Sequence, residues 1–232
     1  MKEIKKDFQP IYQKEKAYEL QLQQDLKTLL RELEKIEGVS RAAVISAKDI
    51  IVGDKVRWKC KYPVCFGYGS SILCPPHTPP VDECKRIIHS FRYALIFQHD
   101  VPVEDFTSNS ASAEAQSHFP LTNNIAGQVE SLANHMGYRQ AVAFQGGMCP
   151  KLLESCRKSW LGNPNEIADL GCAVLQGKKC RHHLKVRPSM EAMAIDVIGT
   201  VLPLGWDLVY IGRQSDPAYV PCASTVGLIL VV

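Results

Sequence analysis

Apolar residues recur at helical spacing from Leu22 onward: Leu22, Leu26, Leu29, Leu30, Leu33 and Ile36 share one side of a helical repeat that ends at Gly38. The pattern predicts an amphipathic helix closed by a glycine able to adopt a left-handed turn. The stripe is also heptad-like, but about two heptads fall short of the run a coiled coil needs. Packing on the body of the protein is therefore the first expectation, and a homodimer joined through this helix the second. Residues 42–46 and 50–52 read as short strands separated by a turn containing Asp49, and residues 55–59 as a further extended stretch. A Pro-, Gly- and Cys-rich loop covers residues 60–80. Val81, Cys84, Ile87, Ile88 and Phe91 then line one face of a second helix, which makes Cys84 a core residue, because a free cysteine packs as a small hydrophobe.

Four compact apolar runs, at residues 93–97, 141–144, 208–211 and 228–232, are bounded by turn residues and read as strands. Because they are apolar at consecutive positions, both faces of their sheet should be covered. The first two are far enough apart to hold a crossover helix around residues 125–135, so a βαβ unit is expected. Met190, Ala194, Val197, Ile198 and Val201 predict another amphipathic helix, with Ser189 as its N-cap and Glu191 in its first turn. The polar residues 107–117 read as a surface loop. The expected fold class is α/β: a single mixed β-sheet with flanking helices, an N-terminal amphipathic helix and irregular Cys-rich loops. This divides into an N-terminal helical segment over 1–38 and an α/β metal-binding domain over 39–232.

Composition narrows the function classes. With 46% hydrophobic and 22% charged residues the chain is neither disordered nor of low complexity. A net charge of +3 does not call for a nucleic-acid or membrane partner. The N-terminus is charged, with no apolar core of a secretory signal, and no run reaches membrane-span length, so a cytoplasmic location is expected. In a reducing cytosol nine cysteines point to metal ligation, catalytic thiols or core packing, not disulfides.

The cysteines form two sets. Cys60, Cys65 and Cys74 lie in KCKYPVCFGYGSSILCPPHTPP, spaced C-x4-C-x8-C, in a backbone permissive enough to wrap a metal. Cys149, Cys156, Cys172 and Cys180 follow, spaced C-x6-C-x15-C-x7-C, and could complete a four-cysteine shell. Structural zinc favours paired knuckles of close cysteines, and only Cys60 and Cys65 have that spacing, so iron–sulfur ligation is the expected chemistry, with zinc as the alternative. Cys222 could be core, a spare ligand or a free thiol. His77 and Tyr68 belong to the first loop, as a fourth ligand, pocket lining or simply exposed residues. After Cys180 comes a basic turn with Arg181, His182, His183, Lys185 and Arg187. It is either a solvated surface turn or a cationic wall that, with the helix start at Ser189, faces an anionic cluster or substrate. On the second reading Arg181, His182, Arg187 and Ser189 are the cofactor-binding residues. No P-loop, Rossmann glycine fingerprint or nucleophile elbow is present.

The chain resembles the DUF2284 family of predicted metal-binding proteins in KCKYPVCFGYGSSILCPPHTPP, in GGMC, and above all in KKCRHHLKVRPSMEAMAIDV followed by a closing apolar strand. The resemblance spans nearly everything after the N-terminal helix and implies cysteine-bound metal, of the iron–sulfur kind. Cys60, Cys65, Cys74, Cys149 and Cys180 match its recurring positions directly. Cys156 and Cys172 rest on spacing, because Lys151, Leu152 and Leu153 intervene where family members often carry a tight C-x2-C-x2-C. Three functions follow as expectations. The first is a redox protein holding one or two clusters of the [4Fe–4S] type and serving a redox partner protein. The second is an enzyme whose three-cysteine cluster leaves an iron open to a small-molecule substrate. The third is a zinc protein whose metal only holds loops together. A fourth cysteine at the first set argues for electron relay, and a vacancy there for catalysis. If residues 55–59 were a strand parallel to that at 141–144, both sets would open into one crevice at the carboxyl ends of the strands.

Overall fold

The computed structural model describes residues 11–62, 65, 67–107, 111–147, 149, 172–211 and 215–232. Helix α1 (Ile11–Glu34) leads into strand β1 (Arg41–Ser46), and helix α2 (Asp54–Lys61) into the first cysteine loop. Helix α3 (Val81–Ile88), strand β2 (Tyr93–Val101), the short α4 (Glu104–Thr107), the long α5 (Ala111–His135) and strand β3 (Val142–Phe144) follow. The chain closes with α6 (Val197–Val201) and strand β4 (Ala223–Leu230).

The four strands form one sheet in the order β1-β2-β4-β3. Every ladder is antiparallel: Arg41 opposes Gln98, Ala94 opposes Leu230, and Val142 also opposes Leu230. Among the described residues the one parallel contact is an isolated bridge from Gln145 to Ser189, just beyond β3. Because β2 and β3 both run against β4, they are parallel to each other with β4 inserted between them. The expected βαβ unit therefore exists, with α5 as its crossover, in the split form in which a later strand fills the gap.

Both faces are covered, as the consecutive apolar runs require. On one face Leu95, Phe97, Ala143 and Ile229 meet Leu22, Leu26, Leu29 and Leu33 of α1 and Ile125, Val129 and Ala133 of α5. These four leucines are at most 2% exposed, and Leu30 and Ile36 of the heptad-like stripe pack against them partly buried, so the stripe faces the body of its own chain. Burial of this extent stabilises by about 1.5–3 kcal/mol per leucine. Gly38 ends the segment after α1 with φ +93°, where a Cβ would stand 2.9 Å from Leu121 Cδ2. On the other face Ala94, Ile96, Phe144, Leu228 and Leu230 meet Cys84 and Ile88 of α3 and the irregular segment that carries Met190, Met193, Ile195, Val201 and Trp206.

Five local expectations are corrected. Residues 55–59 are not extended but lie in α2, where Asp54 in the first turn and Lys59 and Lys61 in the last complement the helix dipole. The single helix expected after Ser189 is broken: a 3₁₀ turn (Glu191–Met193) ends at Ala194, a left-handed residue with φ 62°, and α6 restarts under an Asp196 cap on Gly199 N. The break lets the chain bond residues 51–53 instead, through Gly53 N to Ala194 O and Asp196 N to Ile51 O. For residues 50–52 this leaves an isolated bridge between Val52 and Ile195 in place of a strand. Residues 208–211 form no ladder; Gln98 Nε2 donates to Asp207 O and Leu208 packs on the core, leaving Tyr210 outside. Residues 111–117 are helical rather than loop, in line with the propensity of Ala111, Ala113, Glu114, Ala115 and Gln116. Among the described residues no helix is long and apolar enough to cross a membrane.

Candidate metal centre

The first loop is organised by its own backbone. Cys60 stands in the last turn of α2, and Cys65 N donates back to Cys60 O at 3.0 Å, folding the two cysteines onto one turn. Gly67 N reaches Cys65 Sγ at 3.4 Å, and Gly69, left-handed at φ +73°, donates to Pro75 O at 2.7 Å, drawing the far arm of the loop inward. Ser71, 1% exposed, orders the next turn: its Oγ accepts from Leu73 N and its carbonyl from Cys74 N. Cys74 is buried, while Cys60 and Cys65 are half-buried.

Cys172 comes from the second set and joins them. Burial works to raise its pKa, but N–H groups of Ile72, Leu175 and Val174 and the Ser71 hydroxyl bond its sulfur and hold it below the ordinary thiol value. Ser71 and Ile72 belong to the first loop, so Cys172 is seated on the turn just before Cys74. Burial, followed by the charges of Cys65, Cys60 and Cys172, pushes the Cys74 thiol up to about 12. Burial and the neighbouring Cys65 likewise raise Cys60, against the pull of Arg57. The four sulfurs of Cys60, Cys65, Cys74 and Cys172 thus share one electrostatic neighbourhood. They are not closed on a point: among the described residues no three His, Cys, Asp or Glu side chains are grouped to hold a single metal ion.

Two charged groups that the sequence reading missed border this neighbourhood. Arg57 turns inward, its Nη2 donating to Pro79 O at 3.2 Å and Ala192 O at 3.0 Å and lying 3.9 Å from Cys84 Sγ. Its spacing from Cys60 would have revealed it had residues 55–59 been read as helix, since i and i+3 share a face. Glu191 feels Cys60 as a like charge. Its side chain keeps contact with solvent, yet surrounding protein desolvates it and raises its pKa, against its own backbone N–H and a hydrogen bond from Ser189.

The remaining predicted site residues are distributed differently. Cys149 is half-buried shortly beyond β3, and Cys156 lies outside the described residues. Cys180 is half-buried, its Sγ accepting from His182 N at 3.4 Å. Arg181 is exposed and His182 partly buried. Arg187 is paired with Glu130 of α5, Nε to Oε2 at 2.7 Å and Nη2 to Oε1 at 2.5 Å. Ser189 lies just before the 3₁₀ turn, whose N-cap is Met190; its Oγ accepts from Ala192 N, and no long helix starts there. Cys84 is fully buried in the core, its thiol donating to Pro79 O. Cys222 sits apart, raised by burial and by Asp207 and Asp100.

The expectation that the first set issues from a strand is overturned by α2. The carboxyl end of β3 is nevertheless linked to the segment beside Cys60: Gln145 N donates to Pro188 O, Met190 N to Gln145 O, and Glu191 follows directly. No curated protein and no solved structure matches the chain. Residues 43–231, which contain all four of the gathered thiols, match the family model described as predicted metal-binding protein, DUF2284, and the chain belongs to that family.

Proposed function

We propose that this metal-binding protein is a cytosolic iron–sulfur protein with a redox role, holding a first cluster through Cys60, Cys65, Cys74 and Cys172. The observation that carries the reading is the seating of Cys172 on the Ser71–Ile72 turn, which brings a fourth thiol to a three-cysteine loop. Four thiolates satisfy a [4Fe–4S] cluster and leave no iron open, which favours electron relay over Lewis-acid chemistry. Structural zinc favours paired knuckles of close cysteines, and only Cys60 and Cys65 have that spacing, which favours a cluster over zinc.

The fit extends beyond the ligands. The N–H groups on Cys172 favour its thiolate, and Arg57 supplies positive charge beside Cys60. When bound, the cluster supplies one-electron transfer; the chain shields it with the Gly/Pro loop and offsets its negative charge. Cys149, Cys156 and Cys180 are the donors left for a second cluster, with Arg181 and His182 adjoining Cys180 as cationic or hydrogen-bonding neighbours.

Protein purified without oxygen should be brown, contain iron and acid-labile sulfide, and bleach on reduction. Stoichiometric zinc without sulfide in such a preparation refutes the reading.

A further inference from the structure

Helix α2 presents to solvent a face that neither core uses. Trp58 and Tyr62, one helical turn apart, are 62% and 50% exposed. Their ring centroids lie 4.6 Å apart with planes tilted 36°. Tyr210, 75% exposed, lies against the same helix, with Lys59 Nζ 5.2 Å from its ring centroid. Lys61 Nζ lies 5.5 Å from the centroid of Tyr62. Lys55 is exposed on the same helix, whose only acid, Asp54, stands at its start.

Leaving large aromatic surface in water forgoes the stabilisation that burial brings, so the Trp58–Tyr62 pair, with Tyr210 exposed beside Lys59, calls for something that covers it. Trp and Tyr are the residues that most often anchor protein interfaces, and a rim of one charge sign selects a partner of the other. The position is also specific. Cys60 lies between Lys59 and Lys61 on the same helix, so a partner on this face stands within one helix diameter, ~10 Å, of that thiol. Single-stranded nucleic acid also uses rings and lysines, so it enters the test as the competing occupant.

The geometry points to α2 and Tyr210 as the docking face for an acidic one-electron carrier protein. The carrier seats an apolar spot on Trp58, Tyr62 and Tyr210 and sets its carboxylates against Lys55, Lys59 and Lys61. It loses one electron, the centre behind Cys60 gains that electron, and no bond or proton is exchanged. That the partner is an electron carrier rests on the iron–sulfur reading; that it is acidic and docks here does not.

The test uses the full chain, purified without oxygen, and a plant-type ferredoxin as the acidic probe. Titration calorimetry should show binding that weakens as salt is raised. It should weaken at least tenfold further in Lys59→Glu/Lys61→Glu and in Trp58→Ser/Tyr62→Ser. Tyr210→Ser, remote in sequence from Cys60, should weaken it without altering iron content. Reduction of the chromophore by ferredoxin should slow in step with binding, while reduction by dithionite, which needs no docking, stays unchanged. Absent binding, variants that bind as tightly as the parent, or a face that binds oligo(dT) in place of ferredoxin overturns the proposal. Salt-dependent, variant-sensitive binding in a preparation free of iron upholds the docking face and refutes the iron–sulfur reading alone.

Discussion

Removing the Glu130 carboxylate tests whether Arg187 is a fastener of the fold. The pair is bidentate and largely enclosed, with side chains 19% and 14% exposed for Arg187 and Glu130. Glu130 Oε2 also accepts from Ala143 N at 2.7 Å, so one carboxylate holds the turn after Cys180, helix α5 and strand β3 together. Breaking a fully buried pair by deleting one partner costs about 3–5 kcal/mol, and the residual exposure here places the loss nearer the lower end. The orphaned Ala143 N–H adds about 1 kcal/mol. Glu130→Ala should therefore destabilise by about 4 kcal/mol. Arg187→Met, which keeps much of the apolar stem and leaves Ala143 bonded, should cost about 2 kcal/mol. The double variant should cost clearly less than the sum, with a coupling near 2 kcal/mol in urea unfolding at equal metal loading. A coupling below about 0.5 kcal/mol, the range of exposed pairs, would refute the argument. So would loss of iron from a well-folded Arg187→Met, which would return Arg187 to the cofactor.

Three further outcomes are expected. Cys172→Ala should lower metal content as strongly as Cys74→Ala, whereas Cys84→Ala should keep the metal and lose about 1 kcal/mol or somewhat more through core packing; metal analysis and melting separate the two. Burial, with the His118 charge, holds His99 below its ordinary 6.5 despite the hydrogen bond to Gly38 O. Between that lowered value and 6.5 the unfolded chain binds more protons than the folded one, so stability should fall as pH drops below 6.5, and His99→Gln should flatten the melting-temperature profile there. Gly227 faces the ring of fully buried Phe97 across the β2–β4 ladder, and a Cβ there would overlap Cε1 and Cζ. Gly227→Ala should cost about 1–3 kcal/mol, and an unchanged denaturation midpoint would show that the ring is free to move.

What the sequence determined by itself is what local periodicity and composition can carry. The leucine stripe of α1, the buried face of α3 with Cys84, and three of the four apolar runs were legible because burial on one or two faces leaves a repeat within a few residues. The cysteine-rich loop was legible for the same reason, since its glycines, prolines and thiols stand close in sequence. What needed the tertiary structure depended on partners far along the chain. Residues 55–59 alternate well enough for a strand, yet no strand stands beside them, and a helix that aims Arg57 inward satisfies the carbonyls of Pro79 and Ala192. The segment after Ser189 has a helical repeat, but bonding to residues 51–53 outweighs it. Arg187 reads from its neighbours as part of a basic turn, and only the approach of α5 gives it Glu130. Cys172 lies far from Cys74 in sequence, so no spacing rule could seat it beside Ser71. The thiol neighbourhood was decided by how the chain packs over one face of the sheet, because a long-range contact is fixed by the fold's total free energy and leaves no local signature.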